Sequence, residues 1–525
     1  MTSPQIAKLL ESLKQPTAFD NNASKDDSYV KVNDLAKKAG VFYEKIRYLI
    51  DYKEDHTIRR NAIQRILKRN LFFKTGGEKV ASLLIQELVR GGYIGSDSFL
   101  ENRISSIQNI IDKFLSLGTL SGYANEADMS INRWIVSLAA SEIEIYLFGD
   151  KTEDSVLFSF YETVKDNIKT SAVSTGGIEK DAQIYVACLR SFLKADEQTI
   201  AYRLWLKFLP QWTDFKDTSG VQSVAKNFIA ILSQINMELR DGLSWKIARK
   251  LKNYSIYFNV IKEIVSRYGA DSDRIFNNQA LLEKEAKNIL EARYKKENAR
   301  IQKSAIRAIL YILFTKTILA FALELPYDLA ILGEVYYPAL VANVIFHPFL
   351  LFLITYTIKP LGEKNTDLII SGLNSVISGN ETTLIRIKDK KGKNFLYFIF
   401  LMLYGFIFLL SFGVVILILN RLNFNIMSIA LFTFFLTLVT YFGLRIRFTA
   451  KNWAVTSDRE RTIYFLGNIL VMPIVEVGRW LSHKFDSVNV LVFIMDFIIE
   501  TPFKVLLNVF DSFLSFLKDK REEMY

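Results

Sequence analysis

The sequence predicts an all-α protein, a polytopic helical membrane domain preceded by a large N-terminal cytosolic domain that is itself all-helical. Three observations predict it. Over the first 305 positions apolar residues recur three and four apart, with almost no alternating strand pattern. Four later stretches reach the roughly 20 predominantly apolar residues that cross a bilayer. Lysine and arginine crowd the loops on one side of those stretches and are scarce on the other.

Taken in order, residues 1–29 form a polar segment ending in the linker "TAFDNNASKDDSY". Its opening, "MTSPQIAKLLESLKQ", has no apolar run of signal-peptide length and no small-residue cleavage site, so the N-terminal part is expected to stay in the cytosol. Residues 30–270 carry helical segments such as "SINRWIVSLAASEIEIYLFG" and "EQTIAYRLWLKFL", each opened by a Ser, Asp or Gly signal. Residues 271–305 read as one long charged helix that leads into the first span and is expected to couple the two halves mechanically.

The spans fall at about 306–325, about 338–358, 395–419 and 426–444, within a four-span domain covering 306–462. The loop 359–394 is basic, with a short amphipathic stretch, "TDLIISGLNSVISG", and then "TTLIRIKDKKGK", a small hairpin or a tether. Arg293, Lys295, Lys296, Arg300, Lys303 and Arg307 precede the first span, and Arg445, Arg447, Lys451, Arg459 and Arg461 follow the fourth. The connection at Gly333–Tyr337 holds Glu334 and no basic residue. The positive-inside rule then puts both termini in the cytosol, and the plasma membrane is the expected location.

Residues 463–525 differ. Asp496, Glu500, Lys504, Asn508, Asp511, Ser515 and Lys518 recur with a mean step of about 3.7, and Asn468, Glu476, Arg479 and His483 form a sparser stripe before them. This is an amphipathic helical pair, either lying in the plane of the inner face or adding two further spans.

Charge and cysteine content narrow the chemistry. Of the formal net charge of +11, residues 1–300 hold 44 Lys and Arg against 38 Asp and Glu, a net of +6, and the rest flanks apolar segments. That distribution fits an anionic membrane surface and gives no reason to expect a specific nucleic acid. Cys188 is the single cysteine, which excludes an internal disulfide and a cysteine-based zinc cluster. "KTGGEK" (74–79) and "STGGIEK" (174–180) place glycines before helices without matching a phosphate-binding loop. No catalytic residue, cofactor or metal ligand is assigned from these patterns.

The residues that ask for an explanation lie in the apolar half. Lys316 sits near the middle of the first span, where insertion scales charge roughly 2.5–3.5 kcal/mol for it. Eight residues separate it from Glu324, roughly 80° round an ideal helix, so Glu476, Asp496 or Glu500 is the expected counter-charge. Glu324 and Asp328 flank Pro326 and are expected at the outer interface. His347 precedes Pro348, so His347 or Asn343 is expected to satisfy the carbonyl that the proline frees; the sharper alternative is a proton relay between His347 and Glu324. The candidate intramembrane polar network is thus Lys316, Glu324, Asp328, His347, Glu476, Arg479, Asp496 and Glu500.

A second group, Arg59, Arg60, Arg65, Lys68 and Arg69 on one helix with Lys388, Lys390, Lys391 and Lys393 in the basic loop, is the candidate contact for anionic lipid, with a plain solvated face as the alternative. The function expected is a non-enzymatic scaffold presenting its helical cytosolic domain to protein partners. The alternatives are an ion-coupled transporter or channel using the intramembrane charges and, third, a membrane-embedded enzyme.

Overall fold

The computed structural model describes residues 2–14, 54–72, 80–95, 103–122, 129–170, 179–215, 218–379, 385–387, 394–455 and 471–487, and the single positions 37, 38, 40, 41, 44, 469 and 509. The described chain is helical and divides into two compact units. The first comprises Met1–Asn277, Val376–Asp389 and Ile499–Tyr525, the second Asn278–Ser375 and Lys390–Ile498.

The first unit is built from α1 (Pro4–Lys14), α2 (Asp55–Phe72), α3 (Val80–Arg90), α4 (Ile104–Leu120), α5 (Met129–Phe148), α6 (Lys151–Lys165), α7 (Lys180–Cys188), α8 (Glu197–Phe208), α9 (Thr218–Arg240), α10 (Leu243–Lys250), α11 (Lys252–Tyr268) and α12 (Ser272–Phe276). Asp150 and Asp196 open α6 and α8 as N-caps, accepting from the amides of Thr152 and Thr199. The core is aromatic where α4, α5, α8 and α9 meet. The rings of Trp205 and Trp212 lie edge to face at 5.1 Å, with Phe114 and Phe228 beside them. A buried Lys113–Glu142 pair at 2.6 Å borders this cluster, and Trp212 Nε1 donates to the same Glu142 at 2.7 Å. Such a pair is tolerable in a core because each charge has further partners.

Of the segment expected to form a small hairpin or a tether, residues 385–387 are the ones described. Its strand β2 (Ile385–Ile387) pairs in parallel with β1 (Ile168–Thr170), Ile168 opposite Ile385. A parallel partner must come from distant sequence, which local patterning does not reveal.

In the second unit, α13 (Gln279–Leu319) is a 41-residue helix, roughly 60 Å long, whose N-cap Asn278 accepts from the Leu281 amide at 3.2 Å. The long charged helix therefore begins at 279, and the residues from 272 to 276 are the separate α12. Beyond Leu319 the helix continues as two π-helical turns, Ala320–Glu324 and Asp328–Leu332, on either side of Leu325–Tyr327. There follow α14 (Tyr337–Tyr356), α15 (Glu363–Ser378), α16 (Asn394–Arg421), α17 (Ile426–Ala450) and α18 (Met472–Ser487). Four helices among the described residues are long and apolar enough to cross a membrane: Gln279–Ile331, Tyr337–Tyr356, Phe398–Arg421 and Ile426–Ala450.

Helix α17 is the hub, packing against α13, α14, α16 and α18. Gly478 of α18 lies so close to the middle of α17 that a Cβ there would fall 2.1 Å from the Thr437 carbonyl oxygen. Small residues permit this backbone approach. At the other end, Asn365 of α15 ties three segments together. Its Nδ2 donates to Tyr294 Oη at 2.7 Å and to the Trp453 carbonyl at 2.9 Å, and its Oδ1 accepts from the Val455 amide at 2.9 Å. The amphipathic stretch in the basic loop is thus a helix with a specific clamp.

Candidate functional site

The strongest concentration of buried polar groups in the second unit joins α13 with its π-helical extension, α14 and α17. Lys316 Nζ donates to Asn343 Oδ1 and lies 4.7 Å from the centre of the Phe435 ring. Asn343 Nδ2 donates to both carboxylate oxygens of Glu324 at 3.0 Å. Glu324 also accepts from Ser428 Oγ. The Ser428 amide donates to Asn425 Oδ1 at 2.8 Å, and Asn425 Nδ2 donates to Asp328 Oδ1 at 2.6 Å. Lys316, Asn343, Glu324, Ser428, Asn425 and Asp328 therefore form one continuous chain of hydrogen bonds.

Each link has a local cause. Asn425 is the N-cap of α17 and Ser428 lies in that helix's first turn. Both carboxylates thus sit at the positive end of a helix dipole, which favours negative charge. Asn343 acts as an amide relay, its carbonyl toward the ammonium and its NH2 toward the carboxylate, so the two opposite charges are joined without touching.

Several expectations are corrected here. Lys316 and Glu324 do share a face. The π-helical turn absorbs one residue, so eight positions advance the face by about as much as seven, within roughly 20° of whole turns. Glu324 and Asp328 are 1% and 2% exposed, buried where α17's N-terminus closes over them. Glu476 does not answer Lys316; it pairs with Arg479 one turn along α18, and both are substantially exposed. Asp496 and Glu500 lie outside the described residues.

His347 is fully buried, edge-on to Phe432 at 4.6 Å. Its Nδ1 lies 3.1 Å from the Asn343 carbonyl oxygen and its Nε2 3.0 Å from that of Phe432. Pro348 cannot bond the carbonyl four residues back, that of Val344, and the imidazole faces the neighbouring Asn343 carbonyl instead, with its other ring nitrogen toward the Phe432 carbonyl of α17. The sequence pointed to Lys316, Glu324, Asp328, His347 and Asn343. It missed Ser428 and Asn425, although "NIMS" directly before an apolar run has the spacing of an N-cap.

Four of the five candidate lipid-contact residues on α2 are ion-paired within the first unit. Arg59 pairs with Glu144 at 2.9 Å, Arg60 with Asp196 at 2.5 Å, Arg65 with Glu44 at 3.2 Å, and Arg69 with Glu87. Arg60 is 2% exposed and so faces neither lipid nor solvent. The carboxylates arrive from distant parts of the chain, which α2's own sequence does not show. Lys68 alone of the five is exposed. Lys388, Lys390, Lys391 and Lys393 lie outside the described residues, as do the glycines of the two Gly-Gly turns.

Among the described residues no group of His, Cys, Asp and Glu is placed to hold a metal ion. Fold and site together define a helical protein with four helices apolar enough to cross a membrane and a largely buried polar chain among three of them, with Asn425 at its partly exposed end. No known protein family matches the chain, and neither a curated protein nor a solved structure is significantly similar to it.

Proposed function

We propose that this is a multi-pass plasma-membrane protein whose N-terminal helical unit is a cytosolic, non-enzymatic platform for protein assembly, and that the polar chain from Lys316 to Asp328 fastens three spans in register. Closure is the observation that carries the fastening role. Lys316, Asn343, Glu324, Ser428 and Asp328 are each no more than 2% exposed, and each finds its partner within the bundle. Insertion is supported by surface character: only 6% of the apolar window of α16 is buried, so nearly all of it needs an apolar surrounding. The contact of Gly478 with the middle of α17 supports α18 as part of the bundle rather than a helix along its inner end.

The test is reconstitution. Vesicles carrying the wild type and the Lys316→Met/Glu324→Gln double variant should show no proton or cation flux that separates them, while the double variant remains folded. Flux lost in the variant would displace the fastener. Mild crosslinking in cells followed by affinity capture should return a recurrent partner, and its failure to do so would remove the platform reading.

A second reading, proton-coupled transport, is favoured by His347. Two carbonyl oxygens face its two ring nitrogens, and a neutral imidazole can donate to only one of them, whereas an imidazolium satisfies both. Proton-driven flux abolished by His347→Gln, with the fold intact, would decide for it.

A further inference from the structure

Helix α18 has two unlike faces. On one, Gly478 meets the middle of α17, where a Cβ would fall 2.1 Å from the Thr437 carbonyl oxygen. On the side away from that contact stand Glu476, Arg479, Trp480 and His483, at the three- and four-residue steps of a single helix face, spanning roughly 100° of the circumference. Trp480 is 58% exposed there, and His483 is exposed beside it.

Glu476 and Arg479 bond to each other, yet their side chains keep 45% and 55% of their exposure. Both lie within roughly 3 Å of the level of Gly478 along the axis of α18. Gly478 in turn lies against Thr437 and Tyr441, which bracket the midpoint of α17 (Ile426–Ala450). The pair therefore stands open at mid-height beside a helix apolar enough to cross a bilayer. Acyl chains cannot accept from the remaining guanidinium N–H groups or donate to the carboxylate, so this face needs a polar cover.

We propose that the face pairs with the same face of a second copy of this chain inside the bilayer, Glu476 of each copy meeting Arg479 of the other. Self-complementarity identifies the partner. One acid and one base stand a single turn apart, so a two-fold axis along the membrane normal brings opposite charges together twice. A partner of one charge sign would answer only half of the face. Trp480 supplies the aromatic side chain typical of the centre of a protein contact; a water-filled passage gives it no role. The proposal rests on the reading of α18 as part of a membrane-crossing bundle and goes beyond it by naming what that bundle binds.

Full-length Cys188→Ser chains carrying His483→Cys and either of two affinity tags are reconstituted together in phosphatidylcholine vesicles and treated with a short bifunctional maleimide. A crosslinked dimer holding both tags is expected. Glu476→Arg in every copy, or Arg479→Glu in every copy, sets like charges opposite each other and should lower the dimer yield at least about 10-fold. Mixing Glu476→Arg chains with Arg479→Glu chains should restore it, in dimers that contain one of each. That rescue shows both variants to be folded, and a role confined to one chain would not produce it. Chains that stay monomeric, or a yield indifferent to these charges, overturn the proposal, whether lipid or the chain's own residues after Ser487 cover the face. Trp480→Cys separates the two ways of failing. Its labelling by an impermeant thiol reagent in opened vesicles would put the face in water and remove the bundle reading together with the proposal, whereas no labelling and no dimer removes the pairing alone.

Discussion

Asn343 shows how one neutral side chain makes two buried charges tolerable. Removing either charge leaves the other desolvated and half-paired, whereas removing both leaves only an amide to satisfy. Glu324→Gln and Lys316→Met should each lower stability by about 3–5 kcal/mol. The double variant should lose clearly less than the sum, which a double-mutant cycle on thermal unfolding in detergent will read. His56, in the first turn of α2, gives a pH prediction for the first unit. Burial lowers its pKa below the ordinary 6.5, with Asp196, Glu153 and Glu54 opposing, and its Nε2 has no hydrogen-bond partner among the described residues. The unfolded chain therefore binds the proton more readily than the folded one. The stabilisation is complete above about pH 6.5 and is lost as pH falls through the lowered folded value. His56→Gln should flatten the dependence of melting temperature on pH over that range.

Helices meet here through small local irregularities. The π-helical turn at Ala320–Glu324 turns Glu324 onto the face of Lys316, and Pro326 follows it at once. Deleting one residue from that turn should restore ordinary helix and leave seven positions between Lys316 and Glu324, which keeps both on one face within roughly 20°, so the melting temperature should fall less than it does in Glu324→Gln; a larger fall would refute this account of the turn. The α17–α18 contact depends on Gly478. A Cβ would meet the Thr437 carbonyl at 2.1 Å and Tyr441 Cβ at 2.9 Å, so Gly478→Ile must push the helices apart. Loss of a disulfide crosslink between cysteines placed on α17 and α18 would report it; an unchanged crosslink would refute the contact.

Across the whole chain, the charge asymmetry of the loops leads to a topology. Glu334 is exposed in the connection between the first two apolar helices, and Ser371 is exposed on α15 in the basic segment after the second. In a Cys188→Ser background, a cysteine at Glu334 should react with an impermeant thiol reagent on intact cells. One at Ser371 should react only after the membrane is opened. The reverse pattern would invert the protein. Cys188 itself should contribute little background, since it is fully buried and burial raises its thiol pKa well above 9.0.

The sequence by itself determined the helical class, the four apolar helices and the residues whose charge is out of place, because helical periodicity and span length are local properties summed over many positions. Only the tertiary structure decided where those charges go. Asn343 between Lys316 and Glu324, the cap Asn425 beneath Asp328, the carboxylates opposite α2 and the strand that finds a parallel partner 217 positions away (385 − 168) all depend on segments meeting in space. A π-helical turn was enough to reverse an inference drawn from ideal helical geometry. Buried polar groups are worth their desolvation only when matched, and the matching partner is rarely a neighbour in sequence.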